Sequence, residues 1–284
     1  MLRILEGMMR RGRDDERREQ KGQRMLQRRA PVRLKTPDEI KKMRTSGRMV
    51  AEILAMLREA VRPGVSTADL DAIAEREIRR RGAAPAFKGY GEPPFPGSIC
   101  VAINEQVVHG IPSRRQILRE GDIIGIDTGL VYNGWYGDSC ITVPVGTISP
   151  EAERLLKVTE ECLYLGIEQA RPGNTVGDIG HAIQTHAEAA GYGVVVGLGG
   201  HGIGRKMHEE EPSIQHAGEP GTGLKLRPGM VFTIEPMINE GSPDWRELND
   251  RWTIVTVDGK LSAQFEHTVA ITDGAPLILS KLGD

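Results

Sequence analysis

The chain has 284 residues, 39% of them hydrophobic, and a formal net charge of −2, enough for one large domain or two modest ones with a packed core. No run of eighteen apolar residues occurs, which excludes a membrane-spanning helix, and the absence of a signal-peptide pattern makes a cytoplasmic protein the expectation. Three scattered cysteines (Cys100, Cys140 and Cys162) with no C-x-x-C pair speak against a disulfide framework and for a reducing compartment.

Charge is uneven along the chain. Residues 1–35 hold 12 Lys/Arg against 5 Asp/Glu, a net of +7, which leaves −9 for the remainder. The expected organisation is therefore a basic, flexible N-terminal arm over 1–35 and a folded domain over 36–284. The plainer reading of the arm is a solvated tail. The sharper one is a short amphipathic helix at "MLRILEGMMRR" followed by arginines able to touch ribosomal RNA.

After the arm, Thr36, Pro37 and Glu39 predict a capped helix that runs to Val61. "RPGVSTADLDAIAEREIRRRG", residues 62–82, predicts a Pro-Gly turn, a Ser/Thr cap with Asp three residues on, a helix and a glycine stop. An apolar strand then ends on Asp127. Asn133-Gly134 predicts a type I′ hairpin between "GIDTGLVY" and "WYGDSCITV". With those two residues as the turn, Asp127 lies opposite Cys140 and Asp138 opposite Gly129. The two aspartates then share one face, about 7–8 Å apart at most. Either alone would be a turn or edge residue; together on a core face they call for a cation between them.

A further helix is expected from Ser149 and Pro150, and the pattern then repeats. Arg62, Pro63, Gly64, Asp69 and Gly82 recur as Arg171, Pro172, Gly173, Asp178 and Gly191, at a constant offset of 109. "LREGDIIGID" is answered by "LRPGMVFTIE", and each ends on an acid, Asp127 and Glu235. Two helix–helix–strand copies predict an α+β fold with a pseudo-two-fold axis around a central antiparallel sheet, its site drawing on both halves.

"GGHGIGRKMHEEEP", residues 199–212, has neither the spacing of a phosphate loop nor that of a zinc-protease helix. It leaves His201 and His208 on an irregular backbone, with partners elsewhere. Glu235 closes one strand and Glu266 lies in another, "AQFEHTVAIT", where His267 alternates to the opposite face. Asp127, Asp138, Glu235, Glu266 and His201 make an oxygen-rich donor set with one imidazole, better suited to Mn²⁺, Fe²⁺ or Co²⁺ than to a structural zinc. Two ions about 3.5–4 Å apart, sharing a bridging water, would use all four carboxylates.

"NEQVVHGIP", "GIDTG", "YGDS", "GHGIGRKMHEEEP", "FTIEP" and "QFEHT" occur in the order found in one family. From about Thr36 onward the chain resembles a type I methionine aminopeptidase, of the pita-bread metallopeptidase family. The resemblance implies the pita-bread fold and removal of the initiator methionine from nascent polypeptides when the second residue is small. It implies two divalent ions (Co, Mn, Fe or Zn) on Asp127, Asp138, His201, Glu235 and Glu266. Glu235 would be the proton shuttle, His109 and His208 would contact the substrate, and Phe95, Cys100, Met207 and Trp252 would form the methionine pocket. A monomer is expected, with ribosome contact through the arm. Two features depart from the family: "HEEEP" has one acidic residue more than usual, and Phe95 stands where tyrosine is commoner. The alternatives are an Xaa-Pro-type peptidase of the same fold, which carries a substantial extra N-terminal domain, and a metal-free ribosome-binding relic, which would have lost ligands.

Overall fold

The computed structural model describes residues 31–283, and from Arg33 onward they form one compact unit. The arm expected over 1–35 lies, apart from its last five residues, outside the described residues. Lys35, counted with the arm on charge alone, is only 4% exposed.

The chain opens with helices α1 (Pro37–Ala60) and α2 (Thr67–Arg80). Strands β1 (Ala84–Pro85), β2 (Ile99–Ile103) and β3 (Gln106–Val108) follow, then the hairpin β4 (Ile123–Tyr132) and β5 (Trp135–Pro144). The second half begins with α3 (Pro150–Gln169) and α4 (Val176–Ala189). It continues through β6 (Gly193–Val194), β7 (Gly200–Gly202), β8 (Glu209–Ile214), β9 (Val231–Ile234) and β10 (Met237–Asn239). Strands β11 (Trp245–Glu247), β12 (Ile254–Thr256), β13 (Ser262–Gln264), β14 (His267–Ala270) and β15 (Leu277–Ile278) complete it.

The helix signals act as their chemistry requires. Thr36 Oγ1 accepts the Glu39 N–H at 3.3 Å, and the Glu39 carboxylate accepts the Thr36 N–H at 3.0 Å, satisfying two donors that a helix start leaves unpaired. The duplication extends to single hydrogen bonds. Ser66 donates N–H and Oγ–H to the Asp69 carboxylate at 3.1 and 2.6 Å, and Thr175 donates the same pair to Asp178 at 2.7 and 2.8 Å. Ser66 bridges Ile117 as Thr175 bridges Lys225. Gly64 N–H reaches Leu118 O as Gly173 N–H reaches Leu226 O.

Every strand pairing described is antiparallel. Asn133 and Gly134 have φ of 50° and 73°, as a type I′ turn demands, and β4 pairs β5 with Asp127 opposite Cys140 and Gly129 opposite Asp138. In the second half β9 pairs β14, ending on Ile234 opposite His267, and β10 pairs β13, starting on Met237 opposite Gln264. One register runs through both ladders, so Glu235 and Glu266 stand opposite each other in the break between them. "AQFEHTVAIT" is thus two strands, parted at Phe265 and Glu266.

The helices seat the strands that carry the candidate site residues. Val50, Ile53 and Leu57 of α1 and Leu70 and Ile78 of α2 pack on Ile99, Ile124, Ile126 and Val143, each fully buried side chain contributing about 1.5–3 kcal/mol. α1 meets β5 backbone to backbone: a Cβ on Gly137 would lie 2.7 Å from both Gly47 N and Ser46 C, and Ser46 Oγ donates to Trp135 O at 2.9 Å. In the second half Gly166 of α3 leaves room for Ile183 and for Ile234 of β9; a Cβ there would be 2.7 and 3.3 Å from them.

Candidate metal centre

Asp127 and Asp138 leave the β4–β5 hairpin on one face, Glu235 and Glu266 face each other in the β9/β10 and β13/β14 break, and His201 is the middle residue of β7. All five line one cavity. An irregular backbone was expected at His201; it is instead strand-paired, opposite Ser213, because the Thr233 hydroxyl of β9 accepts its N–H at 3.0 Å. His208 lies just ahead of β8. Glu209, Glu210 and Glu211 open β8, and the β7–β8 register shifts between His201 and Gly202.

Ligand atoms of Asp138, His201 and Glu266 lie within 4.8 Å of one another. His201 Nε2 is 3.6 Å from Asp138 Oδ2 and 3.9 Å from Glu235 Oε1. Its Nδ1 is 3.1 Å from Gly202 O; a carbonyl only accepts, so the proton sits on Nδ1 and the Nε2 lone pair faces the carboxylates. Asp127 is close enough to Asp138 for one carboxyl to hydrogen-bond the other.

Burial, and then the neighbouring acids, push Asp127 and Glu266 well above the carboxylate range. Burial chiefly raises Asp138 to about 8, and burial again raises Glu235 to about 8 against the opposing pull of His201. Asp127 Oδ1, Asp138 Oδ1 and Glu266 Oε1 are buried with no hydrogen-bond partner among the described residues. Buried polar atoms are nearly always satisfied. Three orphaned carboxylate oxygens on one cavity wall, beside an imidazole lone pair, fit divalent cations.

The histidines and the apolar residues form the rest of the cavity, about 210 Å³ in volume. Phe95, Cys100, Met207 and Trp252 all line it, and Phe95 stacks edge-on against Trp252 at 5.1 Å. His109, with φ of 59°, also approaches Trp252 edge-on at 6.3 Å. His208 lies 4.0 Å, ring to ring, from His201. Packed atoms first, and then neighbouring imidazoles, lower His109 to about 4 and His208 to about 3. Both are neutral at pH 7, although both keep surface open at the cavity mouth.

Four further residues support the site without having drawn attention in the sequence. Tyr90 OH lies 2.6 Å from His208 Nδ1. Glu235 is held on three sides: Thr233 Oγ1 donates to Oε1 at 2.8 Å, Gln264 Nε2 donates to Oε2 at 3.2 Å, and its own N–H donates to His216 Nε2 at 3.1 Å. His216 is 1% exposed and burial lowers it to about 3, which keeps its accepting nitrogen free of a proton. His267 points away from the cavity, with Nδ1 3.0 Å from Ser280 Oγ.

Comparison with known proteins places this geometry in context. The sequence model described as "Metallopeptidase family M24" matches residues 41–273. The chain is 51% identical over 248 residues to methionine aminopeptidase 1 of Bacillus subtilis, covering 87% of this chain and 98% of that relative. The crystal structure of methionine aminopeptidase from Rickettsia prowazekii matches with a TM-score of 0.86 at 43% identity, over 88% of this chain and 100% of that one. Prolidase from Pyrococcus furiosus matches with a TM-score of 0.71 at 24% identity, over 66% of its own length, a likeness of fold alone.

Proposed function

The chain belongs to the metallopeptidase family M24, and we propose that it is a metal-dependent methionyl aminopeptidase, removing the initiator methionine from nascent polypeptides whose second residue is small. The observation that carries this reading is a junction: an apolar cavity sized for one side chain ends on a wall of four carboxylates and an imidazole. Asp127, Asp138, His201, Glu235 and Glu266 would hold two divalent ions (Co, Mn, Fe or Zn), which when bound supply Lewis acidity toward a carbonyl and a water acidified toward neutral pH.

The chain's own residues do the rest. Glu235 moves a proton from the attacking water to the leaving amine, its carboxylate held in place by Thr233 and Gln264. The Tyr90 hydroxyl lies 2.6 Å from His208 Nδ1; donating there, it would leave the imidazole proton on Nε2 for the carbonyl oxygen of the first peptide bond. His109 attends the scissile nitrogen. A methionine side chain lies among Phe95, Cys100, Met207 and Trp252, where sulfur meets aromatic edges. The free α-amine is drawn to the acidic wall, which confines cleavage to the N-terminus.

An Xaa-Pro-type activity is the weaker reading, because the likeness to prolidase is of fold alone. We place the protein in the cytoplasm as a monomer, with the basic arm ahead of Lys35 touching the ribosome. Among the described residues no helix is long and apolar enough to cross a membrane. Met-Ala-Ser should be hydrolysed well ahead of Leu-Ala-Ser and Ala-Ala-Ser with Mn²⁺ or Co²⁺ supplied, and EDTA should abolish the reaction. Indifference to the first residue would sink the reading, and a demand for proline in second place would favour the Xaa-Pro one.

A further inference from the structure

Lys35 ends the segment that leads into α1, and its ammonium is out of water: the side chain is 1% exposed and pairs with Glu209 Oε2 at 2.5 Å, the Glu209 side chain being 11% exposed. The Lys35 N–H donates to Gly229 O at 2.7 Å, which fixes its backbone to the turn preceding β9. Burial lowers the Lys35 pKa from the ordinary lysine value while Glu209 pulls it back up. A desolvated ion pair is a weak source of net stability, and its best-attested use is to hold one geometry against others.

The geometry held by this pair is that of the loop between His201 and His208. Glu209 follows His208 directly and opens β8 opposite Gly202, at the place where the register shifts. The Lys35 stem lies against Gly204 inside the loop: a Cβ on Gly204 would be 2.8 Å from Lys35 Cε and 2.5 Å from Glu209 Oε1. Gly204 O accepts the Tyr136 N–H of β5 at 3.0 Å. The loop is thereby pinned to β5 on one side and to Lys35 on another, and His208 hangs from its end with Tyr90 on Nδ1.

We propose that Lys35 and Glu209 are a positioning pair for His208, setting the place of its imidazole at the cavity. The inference rests on the reading that His208 meets the substrate carbonyl. Neither residue touches substrate; the pair acts through the loop.

A double-mutant cycle tests it. Lys35→Met keeps the length of the stem and removes the charge. It should lower kcat/KM on Met-Ala-Ser about tenfold, mainly in kcat, with metal content at the wild-type level. In a His208→Ala background the same change should have no further effect, since no imidazole is left to misplace. An equal fold-loss in both backgrounds would show a merely structural role and overturn the proposal. Should Lys35→Met not fold, Glu209→Gln and the doubly neutral Lys35→Met/Glu209→Met serve in its place. A second readout is independent of turnover: the His208 ring resonances, identified by their loss in His208→Ala, should shift in Glu209→Gln. Unmoved resonances overturn the pairing. If the wild type cleaves no methionyl peptide, the aminopeptidase reading fails while this shift still decides the pair.

Discussion

Four carboxylates with raised proton affinity make the metal-free protein sensitive to pH in a direction opposite to ordinary acid denaturation. In the native state Asp138 and Glu235 hold their protons up to about pH 8, and burial beside the other acids raises the proton affinity of Asp127 and Glu266 in the same direction. In the unfolded chain all four release protons near pH 4. Between those limits the native state binds more protons than the unfolded one, so stability falls as pH rises. The buried histidines work the other way. His208 and His216, lowered to about 3, and His267, lowered to about 4, add stability as pH climbs toward the unfolded histidine value of about 6.5 and contribute nothing further above it. Cysteines enter only above about pH 8.5.

The clean window is therefore pH 7 to 8. A carboxyl fully protonated there contributes a slope of about 1.4 kcal/mol per pH unit, and Asp138 and Glu235, half ionised by about pH 8, together give about 2 kcal/mol across the window. For a domain of this size that is a fall in Tm of roughly 4–8 °C. Thermal unfolding of EDTA-treated protein at pH 7.0 and 8.0 measures it, with a parallel pair in saturating Mn²⁺. The metal-bound carboxylates are already ionised, so the loaded protein should lose little across the window. A metal-free Tm that holds or rises from pH 7 to 8 would refute the account of a carboxylate cluster short of countercharge.

Other outcomes follow from single contacts. Gly137→Ala would place a methyl 2.7 Å from the α1 backbone and should destabilise by about 1–3 kcal/mol, with weaker metal binding because Asp138 is next in the chain; Gly274→Ala, whose nearest atom would be 3.9 Å away, is the calorimetric control. Tyr90→Phe removes the hydroxyl from His208 Nδ1 and should lower kcat/KM by about threefold to tenfold, the worth of one hydrogen bond, with metal content unchanged by elemental analysis. On the proposed roles, Glu235→Gln should cost turnover by about 10²–10⁴-fold or more, a candidate ligand and the proposed proton carrier being lost together, whereas His208→Ala should be milder and retain its metal.

What could be read from the chain divides by the range of the interaction involved. The Asn133-Gly134 turn dictates its own register, so the pairing of Asp127 with Cys140 followed from residues close together in the chain. The helix caps are equally local, and their repetition exposed the duplication. The opposition of Glu235 and Glu266 depends on pairing two segments far apart in sequence, whose ladders stop on either side; nothing local announces it. His216 was passed over because nothing in the local sequence "SIQHAG" marks it; it lies two residues past the end of β8 and is buried by the packing there. Lys35 was assigned to the arm because charge counts ignore partners, and its partner lies 174 residues away.

The placement of the site at the join follows from what the two copies share and what they do not. Asp127 sits midway along β4 and Glu235 directly follows β9, and the two halves bring both acids to one cavity. Only the first copy continues into a tight hairpin, which adds Asp138 on the same face, two residues before the Cys140 that stands opposite Asp127. The second copy takes its partner Glu266 from the break between β13 and β14, outside the repeat. Like charges held this way would drift apart if their strands could move, and the helices remove that freedom. α1 lies on β5 with no side chain between Gly47 and Gly137, and Gly166 of α3 lets Ile183 and Ile234 close up behind Glu235. Interiors packed at this density do not yield by small amounts, so the four carboxylates keep their convergence and answer their mutual repulsion by holding protons or by taking up cations. The glycines at the helix–strand contacts, Gly47, Gly137 and Gly166, thus matter to the candidate metal centre as much as the acids on the cavity wall.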